Sequence, residues 1–287
     1  MSLDVSGAST MRSSASDRGN DSKTKSKARG NVGHLRERKR VLSSPWFAPS
    51  LTLVLLVIVW EIGVRAFDVP SFLLPTPSSV AVSLVENVGL LWEHSLVTLS
   101  STLIGFFLSA VVGVLIAVMI VMWPALGAAV LPIVVASQVI PKVAVAPLMV
   151  VWIGTGMTTS ALIAFVTAFF PVVINATLGM RSVENGSIDL LRSMRASKWQ
   201  IFGYLRFPNA LPHIVTGLQL AVAFSIVGAI VGEFVGSDSG LGYLLIVAQG
   251  NLRTDLLFAA LVVLTFIGLV LYYGVEAAGK AMLRNRQ

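Results

Sequence analysis

Cysteine is absent from all 287 residues, which excludes disulfides, thiolate metal sites and a cysteine nucleophile. Histidine is scarce: His34, His94 and His213 fall in three separate regions, so no metal set forms among them. Charge is scarce as well, with Asp, Glu, Lys and Arg making 12% of the chain, about half of what a soluble domain carries. No nucleophile, base and orienting group can be placed together, and the chain reads as a non-enzyme. Residues 274–280 (GVEAAGK) match the start of a phosphate-binding loop. The match fails, because Ala281 offers no hydroxyl for a magnesium ion and the run ends an apolar segment instead of following a strand.

What is abundant is apolar. With 55% hydrophobic residues and a mean hydropathy of +0.82, the polar surface is too small to cover a soluble globule. A bilayer core about 30 Å thick needs roughly 20 apolar residues per helical span. Five stretches meet that length, near 46–66, 95–122, 157–179, 211–236 and 255–278. A sixth, 124–154, is longer and contains Pro132, Pro141 and Pro147, so one long kinked helix is expected there. The expectation is an all-α, polytopic membrane protein with six transmembrane helices.

Cytoplasmic loops of membrane proteins collect Lys and Arg. With the N-terminus inside, 18 of the 21 cations lie in the tail, in the 180–210 loop and at the C-terminus. The flipped arrangement would put the same cations outside, so an N-in, C-in topology is expected. The net charge of +7 is then a topology signal, and a nucleic-acid partner is not implied. Residues 1–44 are rich in Ser, Lys and Arg and poor in large apolar groups, which predicts a disordered basic cytoplasmic tail. The membrane domain then occupies 45–287. No cleavable leader is expected, since the first apolar run begins only at Trp46 and is long enough to remain as a span.

Outside the first span, Thr76 before Pro77 reads as a helix N-cap followed by a first-turn proline. Val80, Leu84, Val88 and Leu91 continue at helical spacing. Either an amphipathic helix on the outer membrane surface or an ordered connector fits. On the inner side, Asn185-Gly186 signals a turn. Beyond it lie two helix-compatible stretches, from Ser187 to about Ser197 and from Lys198 to Leu205, with Pro208 and Pro212 expected to close them before the next span. Leu190, Leu191, Met194, Trp199, Ile201 and Phe202 beside Arg192, Arg195, Lys198 and Arg206 make a mixed apolar and basic knob. Such a knob suits a protein groove, or equally a helix at headgroup level.

This loop resembles the EAA coupling motif of binding-protein-dependent ABC transporter permeases. The motif has an acidic residue, two small residues, a glycine, and an Ile-x-Leu-Pro close. Asp189 stands at the acidic position, Leu190 and Leu191 at the small ones, Arg195 at the glycine, and Leu205, Phe207 and Pro208 at the close. Ala196, Ser197, Lys198, Trp199 and Gln200 resemble the run that follows the glycine. Ile140-Pro141-Lys142-Val143-Ala144, Trp152-Ile153-Gly154, Gly232-Glu233-Phe234 and Gly240-Leu241-Gly242-Tyr243 are similar to the branch that imports nitrate, taurine, alkanesulfonates and thiamine-related pyrimidines. Ser101 stands where many members carry arginine.

The resemblance implies a MetI-like type I importer permease in the cell membrane. Two permease copies, identical or not, would form the pathway. Two ATPase subunits, which use ATP and magnesium, would dock on the loop about 181–212, and an extracytoplasmic binding protein would deliver a small solute. No cofactor is expected on this chain. Asp189, Arg192, Arg195, Ala196, Ser197, Lys198, Trp199 and Pro208 are the coupling candidates, with Asp189 expected to cap its helix. Charges inside a bilayer are costly and mark function or pairing, so Lys142 and Glu233 are pathway candidates, beside Gln138 and Trp152. Lys142 would meet an anionic solute, pair with Glu233, or snorkel. Gly228 and Gly232 form a GxxxG pattern suited to close helix packing. Two other classes stay open: a gradient-driven carrier, which would show repeated halves, and a membrane scaffold.

Overall fold

The computed structural model describes residues 47–284, and every regular element among them is helical. The expected disordered tail, 1–44, lies outside the described residues. The chain divides into two units at Trp60 and Glu61, within the first helix, α1 (Phe47–Ala66). The described part of the first unit is one uncharged helical run. In the second unit Glu61 pairs with Arg65 and accepts the Ser78 N–H (3.0 Å) and hydroxyl (2.9 Å).

The connector after α1 forms α2 (Pro77–Glu86), with Pro77 in its first turn and the Thr76 hydroxyl accepting from the Ser79 N–H. It buries Val80 and Ser83. After Asn87 the chain enters α3 (Val88–Met122), turns at Trp123, and continues as α4 (Pro124–Ala136) and α5 (Lys142–Ile153). The expected single kinked helix over 124–154 is therefore two helices. Pro132 and Pro147 are tolerated inside them, whereas the chain breaks at 137–141. Pro141 has no N–H to continue a helix, and it biases Ile140 away from helical backbone.

Helix α6 (Met157–Arg181) leads to the loop that holds α7 (Asn185–Ser193) and the single turn α8 (Lys198–Ile201). From Lys198 the helix runs on without interruption through a π segment (Phe202–Arg206) into α9 (Phe207–Gly236). Pro208 and Pro212 thus do not end the pattern. Widening to π geometry accommodates Pro208, which cannot donate to a carbonyl four residues back. Then come α10 (Leu241–Gly250), a helix the sequence reading did not separate, and α11 (Thr254–Arg284). Among the described residues, four helical runs are long and apolar enough to cross a bilayer: Val88–Met122, Met157–Arg181, Lys198–Gly236 and Thr254–Arg284.

The centre of the second unit is the α6–α9 pair. A Cβ on Gly228 would stand 2.6 Å from Ala164 Cα, and one on Gly232 would stand 2.5 Å from Ser160 Cα. The GxxxG pattern therefore works within one chain, letting two backbones touch as small residues allow in lipid. On one side α3 adds Phe106 to Ala168, Val172, Ala221 and Val222. Around the start of α10, Val80, Leu91, Leu241, Leu244, Leu245, Leu256 and their neighbours form a second apolar cluster.

Candidate functional site

The loop between α6 and α9 is a hydrogen-bonded joint between helices. Helix α7 ends in a Schellman cap: the Ala196 N–H bonds to Leu191 O (3.0 Å) and the Arg195 N–H to Arg192 O (2.9 Å). This cap needs left-handed backbone at its second-to-last residue, and Arg195 has φ +59°. A glycine would meet that backbone freely, and an arginine holds it at some strain. Two residues later Ser197 starts α8 with a capping box, its hydroxyl accepting from the Gln200 N–H (3.2 Å) while Gln200 Oε1 accepts from the Ser197 N–H (2.7 Å). Arg-Ala-Ser is therefore stop, spacer and restart.

Outward from this joint stand Leu190, Met194, Trp199 and Tyr204, 62–80% exposed, with Arg192, Arg195 and Lys198 exposed among them. Ile188 and Ile201 turn inward and are buried. Ala196 and Pro208 are half-buried. Asp189 does not cap: α7 already begins at Asn185 after Glu184, and Asp189 instead pairs with Arg192 at 3.1 Å. Glycine at 195 meets the left-handed backbone freely, so Arg195→Gly should leave the joint as stable as wild type or up to about 1 kcal/mol more stable. Arg195→Val should weaken it by about 1–2 kcal/mol. Amide exchange over 196–201 checks both.

The pathway candidates separate into two places. Gln138 is exposed on the break between α4 and α5, and Lys142 opens α5, half-buried against Val145, Met149, Ile163, Val166 and Thr167. Trp152 is 70% exposed at the far end of α5. Glu233 is elsewhere, and no ion pair joins it to Lys142; the ion pairs found among the described residues are Glu61–Arg65, Asp189–Arg192 and Glu276–Lys280.

Glu233 instead caps a helix. Three successive N–H groups at the start of α10 each meet a side chain: Gly240 donates to His94 Nδ1 (2.9 Å), Leu241 to Thr98 Oγ1 (2.7 Å) and Gly242 to Glu233 Oε2 (2.8 Å). Thr98 and Ser101 donate their hydroxyls to the two Glu233 oxygens, at 2.9 and 3.3 Å. Helix starts leave such N–H groups unpaired, and a carboxylate suits them. Glu233 is 1% exposed, so its remaining neighbours matter: the Cβ atoms that Gly240 and Gly242 lack would collide with its side chain. His94, Thr98 and Ser101 were not singled out as partners of Glu233 from sequence, although they form a polar stripe at i, i+4 and i+7 on an apolar helix.

Four helical runs apolar and long enough to cross a bilayer, among the described residues, fit a multi-pass membrane protein. Residues 109–284 match the family described as binding-protein-dependent transport system inner membrane component, and the chain belongs to it. It is 39% identical to the riboflavin transport system permease protein RibX of Chloroflexus aurantiacus, over 77% of this chain and 84% of that protein. It is 31% identical to the formylaminopyrimidine transport permease protein ThiX of Halalkalibacterium halodurans, over 83% and 96%. Taurine and putative aliphatic sulfonate permeases are further relatives. In fold it is similar to an inward-facing structure of the MetNI methionine ABC transporter, with a TM-score of 0.55, 24% identity and coverage of 67% of this chain and 94% of that one. The MetI-like ABC permease fold and the importer branch follow; the family is a transport component and not an enzyme.

Proposed function

We propose that this chain is the pathway subunit of an ATP-driven importer for a small anionic or heterocyclic solute, coupled to separate ATPase subunits through its inner loop. The exposed knob at 190–204 carries this reading. A Schellman cap abutting a capping box holds Trp199, Arg195 and Lys198 at one angle, and a rigid element is what transmits a coupling free energy between two sites. Asp189 and Arg192 brace the knob, Ala196 and Ser197 form its hinge-free turn, and Pro208 joins it to α9.

The break at 137–141 supports the pathway. Irregular backbone at membrane depth is tolerated only where protein or water covers it, and half-helix starts in transporters face anionic groups. Lys142 at the start of α5, with Gln138 and Trp152, would line that route, and a second copy of the chain, as a homodimer, would cover Val139 and Val151, which are 84% and 80% exposed. Glu233 would support the outer end without touching solute. In this reading α1 and the α4–α5 pair complete six spans in the cell membrane, with both termini and a basic 1–44 tail cytoplasmic and 45–287 as the permease domain. An extracytoplasmic binding protein delivers the solute, and ATP and magnesium bind the ATPase chains alone.

Relatives named for riboflavin, formylaminopyrimidine, taurine and aliphatic sulfonates set the solutes to try. In proteoliposomes containing the permease, ATPase and binding protein, one of these should accumulate only with ATP. Accumulation driven by an ion gradient without ATP would replace this reading with a secondary carrier.

A further inference from the structure

Between the knob and the α3–α4 turn lies a basic cavity of about 200 Å³, lined by Val121, Pro124, Ile188, Arg192, Lys198 and Arg206. That is over ten times the roughly 10–15 Å³ needed to seat one water. Arg206 reaches it from the π segment. Among the described residues its side chain makes one hydrogen bond, a long one from Nη1 to Val121 O at 3.4 Å, and its Nε is buried without a hydrogen-bond partner there. Arg181 and Arg192 lie near enough to act on Arg206 electrostatically as like charges. One acid pairs in this cluster: Asp189, on a single nitrogen of Arg192. Arg181, Lys198 and Arg206 form no ion pair among the described residues.

Like charges gathered around a cavity, with a buried guanidinium nitrogen unsatisfied, are unfavourable until an anion enters. Two cations on the loop and one at the foot of α9 suit an anion that accepts from several sides at once, and guanidinium pairs phosphate best. Depth agrees: Trp123 beside Pro124 is 51% exposed, and such tryptophans sit at headgroup level.

We propose that this cavity binds a phosphate-class anion, bridging Arg192 and Lys198 of the inner loop to Arg206 and so fastening the loop against the α3–α4 turn. Basic pockets on the cytoplasmic side of membrane proteins take anionic headgroups in this way, and a free phosphate has the same chemistry. The site needs neither ATPase nor transported solute.

The full chain in nanodiscs tests it by native mass spectrometry. One arm uses phosphatidylglycerol in phosphatidylcholine; the other uses phosphatidylcholine alone with added inorganic phosphate. Wild type should retain one phosphatidylglycerol or one phosphate, and the arm that responds names the source. Arg206→Gln should weaken retention by about tenfold or more, Arg206→Lys should recover part of it, and Lys280→Gln, on a distant exposed ion pair, should leave it unchanged. If Arg206→Gln does not elute as a folded species, Arg192→Gln, on the exposed face of α7, serves the same comparison. No retained anion in either arm, or an equal loss in Lys280→Gln, overturns the proposal.

Discussion

Glu233→Ala should destabilise the packing around the start of α10 by about 3 kcal/mol, whereas Glu233→Gln should cost less than about 1 kcal/mol. In the alanine variant the Gly242 N–H loses its acceptor in a water-poor setting, and the side chain leaves a void. Thr98 and Ser101 suffer less, because each hydroxyl already has a backbone alternative, His94 O at 3.3 Å and Thr98 O at 3.1 Å. Glutamine keeps an oxygen for Gly242 and turns an amide toward the Ser101 hydroxyl, which can accept. Thermal unfolding in detergent separates the two variants, and transport by the glutamine variant gives a second reading. A folded glutamine variant that no longer transports would show that the charge itself acts on solute, and the capping account of Glu233 would fail.

Gly228→Val should abolish accumulation of folded protein in the membrane. The added Cβ would meet Ala164 Cα at 2.6 Å and Ile163 O at 2.8 Å. Both are backbone atoms of α6, so no rotamer change relieves the clash and the α6–α9 pair must separate. Overpacking of this kind costs about 1–3 kcal/mol where side chains can adjust, and here they cannot. Gly268→Ala is the matched control: its Cβ would find only Ile226 Cδ1, at 3.5 Å, and its expression and melting temperature should match wild type. Equal loss in the two variants would mean that the seam has no special role.

Where a feature depends on residues close in sequence, it was legible beforehand. Thr76-Pro77 starts α2 as expected, each of the four long helical runs covers its apolar stretch, and Gly228 with Gly232 marks a close backbone contact between helices. The joint at Arg195 was half legible, since the run through Gln200 is a capping box in plain sequence but the left-handed backbone of an arginine carries no local signal. Pro132, Pro141 and Pro147 look alike as letters; of the three only Pro141 stands at a break in the chain, because context decides which missing N–H is tolerated. Glu233 was the least legible. Its partner Thr98 lies 135 residues away, and a search for opposite charge finds Lys142, whereas the structure answers the carboxylate with hydroxyls and an amide.

The most direct measurement is co-purification of this chain with candidate ATPase subunits, comparing wild type with a Trp199→Ala, Arg195→Glu double variant. The account expects an ATPase carrying a phosphate-binding loop to come down with wild type and to be lost from the variant, while the variant still inserts in the membrane and melts like wild type. An ATPase that binds both equally, or none that binds either, would contradict coupling through this loop.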